Sequence, residues 1–299
     1  MKKSKHWNYG RPSAAGRVFD IGNAIVMLAL CFAMLYPMWY VVCCSLSEPA
    51  ELVRHSGPVF WPLKFTAVSY EKVLSYQPIW NGYKVTIFVV VVGTALNLLF
   101  TSMLAYVLSR RNLLWSKVIT GLCIFTMYFS GGMIPTFLVV KAVGLYDSIW
   151  ALIIPGLIST YNMILVRTAF LGVPEDISES ASLDGAGELT TLFRILMPLI
   201  KPSLAAVGLF YAVGHWNSWT RALLYIRNPE LQPLQMVVRS LLIMEKDLAD
   251  SGVPDAYTQM LNNAMKYPVI VVSTVPILCV YPFIQKYFTK GVMIGAVKG

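Results

Sequence analysis

The chain has 299 residues, of which 57% are hydrophobic and only 13% are charged. Soluble domains carry about 25% charged residues, so this composition excludes an ordinary soluble domain and indicates a membrane protein. The formal net charge is +9, but the basic residues form no stripe with interleaved aromatic side chains, so no nucleic-acid partner is expected.

Six apolar segments are long enough to cross a bilayer as helices, which takes about 20 residues. They cover residues 21–45, 85–108, 118–140, 148–166, 203–220 and 268–285. The first follows a basic N-terminal segment, residues 1–20, and is too long for the apolar part of a signal peptide, so we expect a retained span. The sequence therefore predicts an all-α integral membrane protein with a six-helix domain over residues 21–290.

Proline and glycine interrupt some of these segments. Pro37 is expected to kink the first span without ending it, because neighbouring helices can satisfy the freed backbone groups. Gly131-Gly132, together with Pro135, is expected to break the third span, and Pro155-Gly156 the fourth. Interrupted helices often line a binding cavity in transporters, although they also allow close packing.

The positions of Lys and Arg set the orientation of the spans. Fourteen of them lie on the side that holds the N-terminus, residues 109–117, residues 167–202 and the C-terminal segment, whereas ten lie on the other side. We therefore expect both termini in the cytoplasm, with residues 291–299 as a cytoplasmic tail. The outer side then carries two long loops, residues 46–84 and 221–267, of which the first is expected to form an ordered cap.

The six segments contain no Asp, Glu, Lys or Arg. Ion-coupled carriers usually need an ionisable group inside the membrane, and His215 is the only candidate of that kind. The chain also has no phosphate-binding loop and no motif of a zinc protease or serine hydrolase, so no enzymatic activity is expected. Its five cysteines lie within apolar segments without a C-x-x-C pair, which favours buried hydrophobic side chains over disulfides or metal ligands.

Residues 174–198 form an acidic loop between the fourth and fifth spans, and they are called the acidic loop below. Pro174 fits the first position of a helix that we expect to reach Asp184, with Ile177, Ala181 and Asp184 on one face. Gly185-Ala186-Gly187 should end this helix, because glycine readily adopts the left-handed cap conformation. A second helix is expected from Glu188 until Pro198 interrupts it.

The charge of the acidic loop indicates what it faces. It holds five acids (Glu175, Asp176, Glu179, Asp184 and Glu188) and no base before Arg194. Helices that rest on the cytoplasmic leaflet favour Lys and Arg, because that leaflet is negatively charged. Anionic lipid should therefore repel this loop, and we expect it to dock on a partner protein instead.

The same stretch resembles the E-A-A-x-x-x-G-(x)9-I-x-L-P loop of bacterial ABC-importer permeases. Ser180 and Met197 depart from the pattern by small changes. In that family the loop is a coupling helix that inserts into the ATPase subunit, which implies an ATPase-coupling role for Glu179, Ser180, Ala181, Leu183, Asp184, Gly185, Ala186, Ile195 and Pro198.

Two further stretches are similar to the carbohydrate (MalG-like) permeases of this family, in the oligosaccharide-importer subgroup. Residues 215–242 begin with "HWNSWTRALLYIRNP", and residues 285–299 read "QKYFTKGVMIGAVKG". The resemblance implies the transmembrane domain of a type I ABC importer, which imports a sugar or oligosaccharide across the bacterial cytoplasmic membrane. It also implies that the tail, through Gly295, Ala296, Val297, Lys298 and Gly299, contacts the ATPase.

The resemblance further implies three kinds of protein partner. These are a second homologous permease that forms a heterodimer with this chain, a dimer of ATPase subunits and an extracytoplasmic solute-binding protein. ATP and Mg²⁺ would be used by the ATPase, and no cofactor is expected on this chain. The alternatives are a stand-alone channel or secondary carrier and an ABC permease for a non-sugar solute, such as a peptide or polyamine.

Sugars are held by aromatic faces together with amides and hydroxyls. Candidates for the substrate pathway, near or within the spans, are Asn97, Tyr128, Tyr161, Asn162, His215, Trp216, Asn217 and Trp219. Aromatic residues at span ends also form interfacial belts, and Asn inside a span also joins helices. The outer segments hold ten bases and nine acids, so their charge does not decide whether the sugar is acidic, such as a uronate, or neutral.

Overall fold

A computed structural model of the chain describes residues 14–110, 113–250 and 265–279. These residues are helical apart from connecting segments and one isolated bridge between Ser47 and Phe65, which confirms the all-α prediction within the described ranges. The predicted tail, residues 291–299, lies outside them.

Within the described part of the chain, two helices are long and apolar enough to cross a membrane unbroken. The first, α1 (Ala14–Ser45), contains the predicted first span and continues through Pro37. After the short helices α2 (Pro49–Arg54) and α3 (Val68–Ser75), the second long helix, α4, covers Gln77–Ser109. It begins at Gln77 rather than at residue 85, because Pro78 suits a first helical turn and the added turns are packed against a later helix.

The third and fourth predicted spans are bent helix pairs. Helices α5 (Ser116–Tyr128) and α6 (Met133–Ala142) meet at 115°, and Gly132 between them has φ +86°. Two 3₁₀ turns over Ile149–Gly156 meet α7 (Thr160–Leu171) at 52°. The predicted breaks in the third and fourth spans are therefore confirmed.

The fifth predicted span follows the acidic loop. Its helix, α11, covers Lys201–Trp216 and lies at 90° to the helical stretch Glu188–Leu199. The predicted end at residue 220 was wrong, because Asn217 caps α11 and a new helix, α12, covers Thr220–Tyr225. Of the sixth predicted span, the structure describes α14, Met265–Cys279.

The helices of the acidic loop are numbered in the same order. They are α8 (Glu175–Leu183), α9 (Glu188–Thr190) and α10 (Met197–Leu199), with a π-helical turn, Thr191–Leu196, between α9 and α10.

Both long outer segments are ordered over the residues described. In the first, the Trp39 indole donates to the Phe60 carbonyl at 2.8 Å, in line with the predicted cap. The second is not a simple loop: it holds α12, a 3₁₀ turn and the amphipathic helix α13 (Leu234–Asp250). The Leu234 amide donates to Thr86 Oγ1 at 2.8 Å, and Gly82 allows the two backbones to approach closely.

The main core lies between α4, α7, α11 and the second half of the acidic loop. Its buried residues are Ala105, Tyr106, Leu108, Met163, Val166, Phe170, Leu192, Leu196, Ile200, Val207 and Tyr211. The acidic loop thus belongs to the packed body of the protein.

The prediction that the cysteines are buried hydrophobic side chains holds for only some of them. All five are free, and Cys43 and Cys44 are buried. Cys31 and Cys279 are exposed on this chain, because they lie on apolar helix faces that no other described element covers.

Candidate functional site

The first half of the acidic loop is a short helix closed by a glycine cap. In α8 the last turn ends in a Schellman motif, in which the Ala186 amide donates to Ala181 O at 2.9 Å and the Gly185 amide donates to Ser182 O at 3.1 Å. Gly185 has φ +80°, the left-handed conformation that favours glycine. The predicted glycine turn is therefore confirmed, and hydrogen bonds fix it at two points.

Three details of the predicted loop were wrong. Pro174 precedes the first helix as its cap residue, since its ψ of 135° is not helical. Asp184 is the C-cap of a helix that ends at Leu183, so the helix stops one residue short of the predicted end. Pro198 does not end the second helix, because it falls in the first turn of α10, where the missing amide hydrogen is tolerated; the break comes at Ile200.

Helix α8 presents most of its surface outward. Ser178 and Ala181 are buried, whereas Glu179 and Ser180 are exposed. Leu183 is 89% exposed, which is unusual for a leucine on a helix so well anchored at its end. An exposed leucine within an acidic surface fits a protein partner with an apolar pocket and basic residues around it.

The second half of the loop is anchored in the core. Leu192, Leu196 and Ile200 are each at most 5% exposed and pack with α4 and α7. Ile195 is partly buried and Pro198 is exposed. The loop therefore has an outward half and an inward half, joined by the glycine cap.

A polar cluster ties the second half to the end of α4. Arg110 Nη2 donates to Glu188 Oε2 at 2.9 Å, and the Tyr106 hydroxyl donates to the same carboxylate oxygen. The Arg110 guanidinium also lies 4.5 Å from the centre of the Tyr106 ring. Hydrogen bonds from Tyr106 and then Arg110 hold the pKa of the Glu188 carboxyl below its usual value.

This cluster borders a groove of about 820 Å³ between α8 and the end of α4. Glu179, Leu183 and Arg110 are among its lining residues. The predicted coupling residues thus fall into two groups: Glu179, Ser180, Leu183 and Asp184 on the open surface, and Ala181 and Ile195 at the packed interface.

The second region of interest is the break before α7. Helix breaks leave carbonyl groups free, and in a membrane protein these need partners from within the protein. Asn97, fully buried in α4, donates through Nδ2 to the carbonyls of Gly156 at 2.8 Å and Leu157 at 2.6 Å. Its Oδ1 lies 2.7 Å from His215 Nε2.

The same break is held from α11 and α12. The Tyr211 hydroxyl accepts from the Ser159 amide at 2.9 Å and also bonds Thr101 at 2.7 Å. Arg221 Nη1 donates to Leu152 O at 3.0 Å. Asn97 and His215 are therefore structural partners of the broken span, and Asn97 is not part of the cavity wall.

Beside this network lies a polar cavity of about 490 Å³, called the outer cavity below. It is at the end of α11 farthest from the acidic loop. Its lining residues are Gly156, Ile158, Ser159, Asn162, Phe210, Tyr211, Gly214, His215, Ser218, Thr220 and Arg221.

Two of the predicted pathway residues, Asn162 and His215, line the outer cavity. Sequence reasoning missed Ser159, Tyr211, Ser218 and Arg221. Arg221 follows directly after the run "HWNSWT", and its position beside a span end was the available signal.

The remaining pathway predictions lie elsewhere. Tyr128 is 76% exposed at the end of α5, and Tyr161 is 54% exposed on α7. Trp216 packs against Tyr83, and Asn217 is the exposed C-cap of α11. Trp219 lies under the Arg239 guanidinium at 4.6 Å. None of these five lines the outer cavity.

The predicted tail contacts, Gly295 to Gly299, lie outside the described residues. Over the described ranges, no group of three or more His, Cys, Asp and Glu side chains could hold a metal ion.

Comparison with known proteins gives one consistent family. Residues 97–293 match the family described as "Binding-protein-dependent transport system inner membrane component". Protein LplC of Bacillus subtilis is 43% identical over 95% of this chain and 96% of its own length. The polygalacturonan/rhamnogalacturonan transport system permease protein YtcP of the same organism is 39% identical over 95% of this chain and 99% of its own length.

A solved structure shows the same fold. The crystal structure of a bacterial ABC transporter involved in the import of the acidic polysaccharide alginate contains a chain that matches with a TM-score of 0.85 and 31% sequence identity. The match covers 93% of this chain and 99% of that one.

Proposed function

Because the chain belongs to the family of binding-protein-dependent transport system inner membrane components, we propose that it is the permease subunit of an ATP-driven oligosaccharide importer. It forms half of the translocation path, and its acidic loop docks on a separate ATPase subunit. The observation that carries this proposal is the outward acidic face of α8, with Leu183 89% exposed, joined by a glycine cap to a buried helix.

The proposed substrate class, an oligosaccharide, is based on the substrates for which the relatives are named. YtcP carries polygalacturonan/rhamnogalacturonan in its name, and relatives at 27% and 25% identity are an arabinooligosaccharide and a lactose permease. The aromatic and amide groups around the outer cavity, Phe210, Tyr211 and Asn162, are suited to a sugar.

The packing supports a lever mechanism. A force applied to α8 passes through the glycine cap to the π-helical turn, which is buried against α4 and α7. The stretch Glu188–Leu199 then meets α11 at 90°, so movement of the loop changes the position of α11 and of the outer cavity at its far end. ATP-driven closure of the ATPase pair would thereby switch the path between inward- and outward-facing states.

Two apolar helix faces are not covered by any other described part of this chain and are available to partners. The most apolar part of α1 is 0% buried on this chain, and α5 has no buried residue. We assign these faces to lipid and to a second, homologous permease that completes the path. The solute-binding protein would dock on the ordered outer segments, and both termini, including the tail residues Gly295 to Gly299, would lie on the ATPase side.

Co-purification tests the coupling role. Tagged full-length chain is co-expressed with the permease and ATPase subunits of its own transporter, and the ATPase retained on the membrane complex is measured by its ATP hydrolysis. Glu179→Lys and Gly185→Pro should abolish retention, whereas Glu230→Lys, an exposed acid on the outer segment, should not. Full retention by both loop variants would overturn the proposal.

A further inference from the structure

The outer cavity contains a cation that no described acid neutralises. Among the side chains that the structure describes (residues 16–110, 113–243 and 265–279), the ion pairs involve Arg54, Lys64 and Arg110, and Arg221 is in none of them. Arg221 uses Nη1 to hold the Leu152 carbonyl. Its guanidinium has five N–H donors in all, so it keeps donors for a ligand.

Arg221 is fixed in place by the broken span. A Cβ on Gly156 would lie 2.3 Å from Arg221 Nη2, so the guanidinium rests directly on the glycine backbone. A planar guanidinium held in this way is suited to bind a carboxylate through two parallel hydrogen bonds.

His215 lines the same cavity, and Asn97 holds its ring in place. Asn97 Nδ2 donates to two carbonyls, so its Oδ1 accepts from His215 and the bonding pattern assigns the proton to Nε2. His215 Nδ1 is then an acceptor, buried and without a hydrogen-bond partner among the described residues. His215 itself is only 5% exposed and lines the cavity wall.

Together these groups match one ligand chemistry. A uronic acid residue carries a carboxylate and neighbouring hydroxyls on a ring, and the cavity offers a fixed guanidinium, the hydroxyls of Ser159 and Ser218, and the Phe210 ring. Its volume of about 490 Å³ is in the range of small-molecule sites, which is about 300–1,000 Å³.

We propose that the outer cavity binds a uronic acid residue of an acidic oligosaccharide and that Arg221 binds its carboxylate. This inference rests on the proposed importer function and adds the substrate class and a specificity-determining residue.

The test is uptake by the complete transporter in proteoliposomes, with trigalacturonate and its methyl ester as probes. Arg221→Gln should lower uptake of the acid at least tenfold and uptake of the ester less than twofold. The solute-binding protein is the same in both cases, so the ratio isolates Arg221. Arg227→Gln is the matched control, because Arg227 is exposed nearby but does not line the cavity. An equal loss for both probes, or no loss for either, would overturn the proposal.

A second measurement tests the proposal even if the Arg221→Gln complex fails to assemble, because it uses only the wild-type protein. Thermal unfolding of the wild-type permease–ATPase complex is followed with each probe and without the solute-binding protein. The acid should raise the midpoint and the ester should not; an equal effect of the two, or none, contradicts the carboxylate site. If the wild-type transporter takes up neither probe, the proposed importer function is contradicted. The binding measurement then still tests whether the outer cavity binds a carboxylate.

Discussion

Arg110 Nη2, at the C-terminal end of α4, lies 2.9 Å from Glu188 Oε2, at the start of the second half of the acidic loop. This ion pair joins two segments that are 78 residues apart in the chain. Tyr106 donates to the same carboxylate, and its ring lies against both Arg110 and Phe170. These contacts couple the acidic loop to α4 next to the surface that we assign to the ATPase.

Removal of the Glu188 charge should weaken the coupling between the acidic loop and α4. The Glu188 side chain is 72% exposed, and ion pairs of that kind contribute about 0.2–1 kcal/mol, so Glu188→Gln should lower thermal stability only slightly. The stimulation of ATP hydrolysis by loaded solute-binding protein should fall by up to about fivefold, the factor that ~1 kcal/mol represents, because one of the contacts that couple the loop to α4 is lost while the buried packing remains. Steady-state ATPase assays on the reconstituted transporter measure this effect, and an unchanged stimulation would contradict it.

The contribution of Glu188 should also depend on pH in a defined direction. Its folded-state pKa is lowered, so its stabilising effect is complete above the unfolded pKa of about 4.3 and is lost as the pH falls through the lower folded value. The difference in unfolding midpoint between wild type and Glu188→Gln should therefore be constant from pH 8 to about pH 5 and shrink below about pH 4. A difference that grows in acid would refute the assignment.

Gly185 and Gly187 form a matched pair in the glycine turn. Neither has another atom within 4 Å of the position that a Cβ would take, but Gly185 has φ +80° and Gly187 has φ −73°. Gly185→Ala should therefore cost about 1–2 kcal/mol locally. Gly187 is the N-cap of α9, where alanine loses about 0.5–1 kcal/mol of capping preference but gains about 0.4–1 kcal/mol by restricting the unfolded chain, so Gly187→Ala should be close to neutral. Hydrogen exchange of the Ala186 amide reports this difference, and equal exchange rates in the two variants would contradict the cap.

Asn97 and Asn162 should respond differently to the same substitution. Asn97→Leu leaves the carbonyls of Gly156 and Leu157 without donors, at about 1–3 kcal/mol for each, and should lower the unfolding midpoint of the complex by several degrees. Asn162→Leu removes a cavity-lining amide and should leave the midpoint within a degree or two while raising the KM for uptake about 2–10-fold. The reverse pattern would contradict the roles assigned to the two residues.

The sequence predicted the elements that depend on local chemistry. The first five apolar segments, the break at Gly131-Gly132 and the cap at Gly185 follow from composition and backbone preference, and the structure confirms them over the residues described. The continuation of the loop helix past Pro198 was missed, because a proline stops a helix only where its amide hydrogen is needed.

The sites depend on contacts that are distant in sequence, and there the sequence was less informative. Asn97 and His215 are 118 residues apart, and only the fold shows that they bond each other. In the sequence, Arg221 was one of several basic residues beside a span. Its neighbours in the chain do not show whether an acid pairs with it, and only the structure shows that none of the described acids does. The exposed position of Glu179 was predictable, because an acid on a short polar helix has no reason to be buried.

The most direct test of the coupling claim is a photo-crosslinker at Leu183, which is 89% exposed on α8, in the assembled transporter. Its control is the same crosslinker at Trp61, which is 74% exposed on the outer segment. We expect an adduct with the ATPase subunit from position 183 and none from position 61. An ATPase adduct from position 61, or only lipid adducts from position 183, would contradict the assignment of the acidic loop as the coupling element.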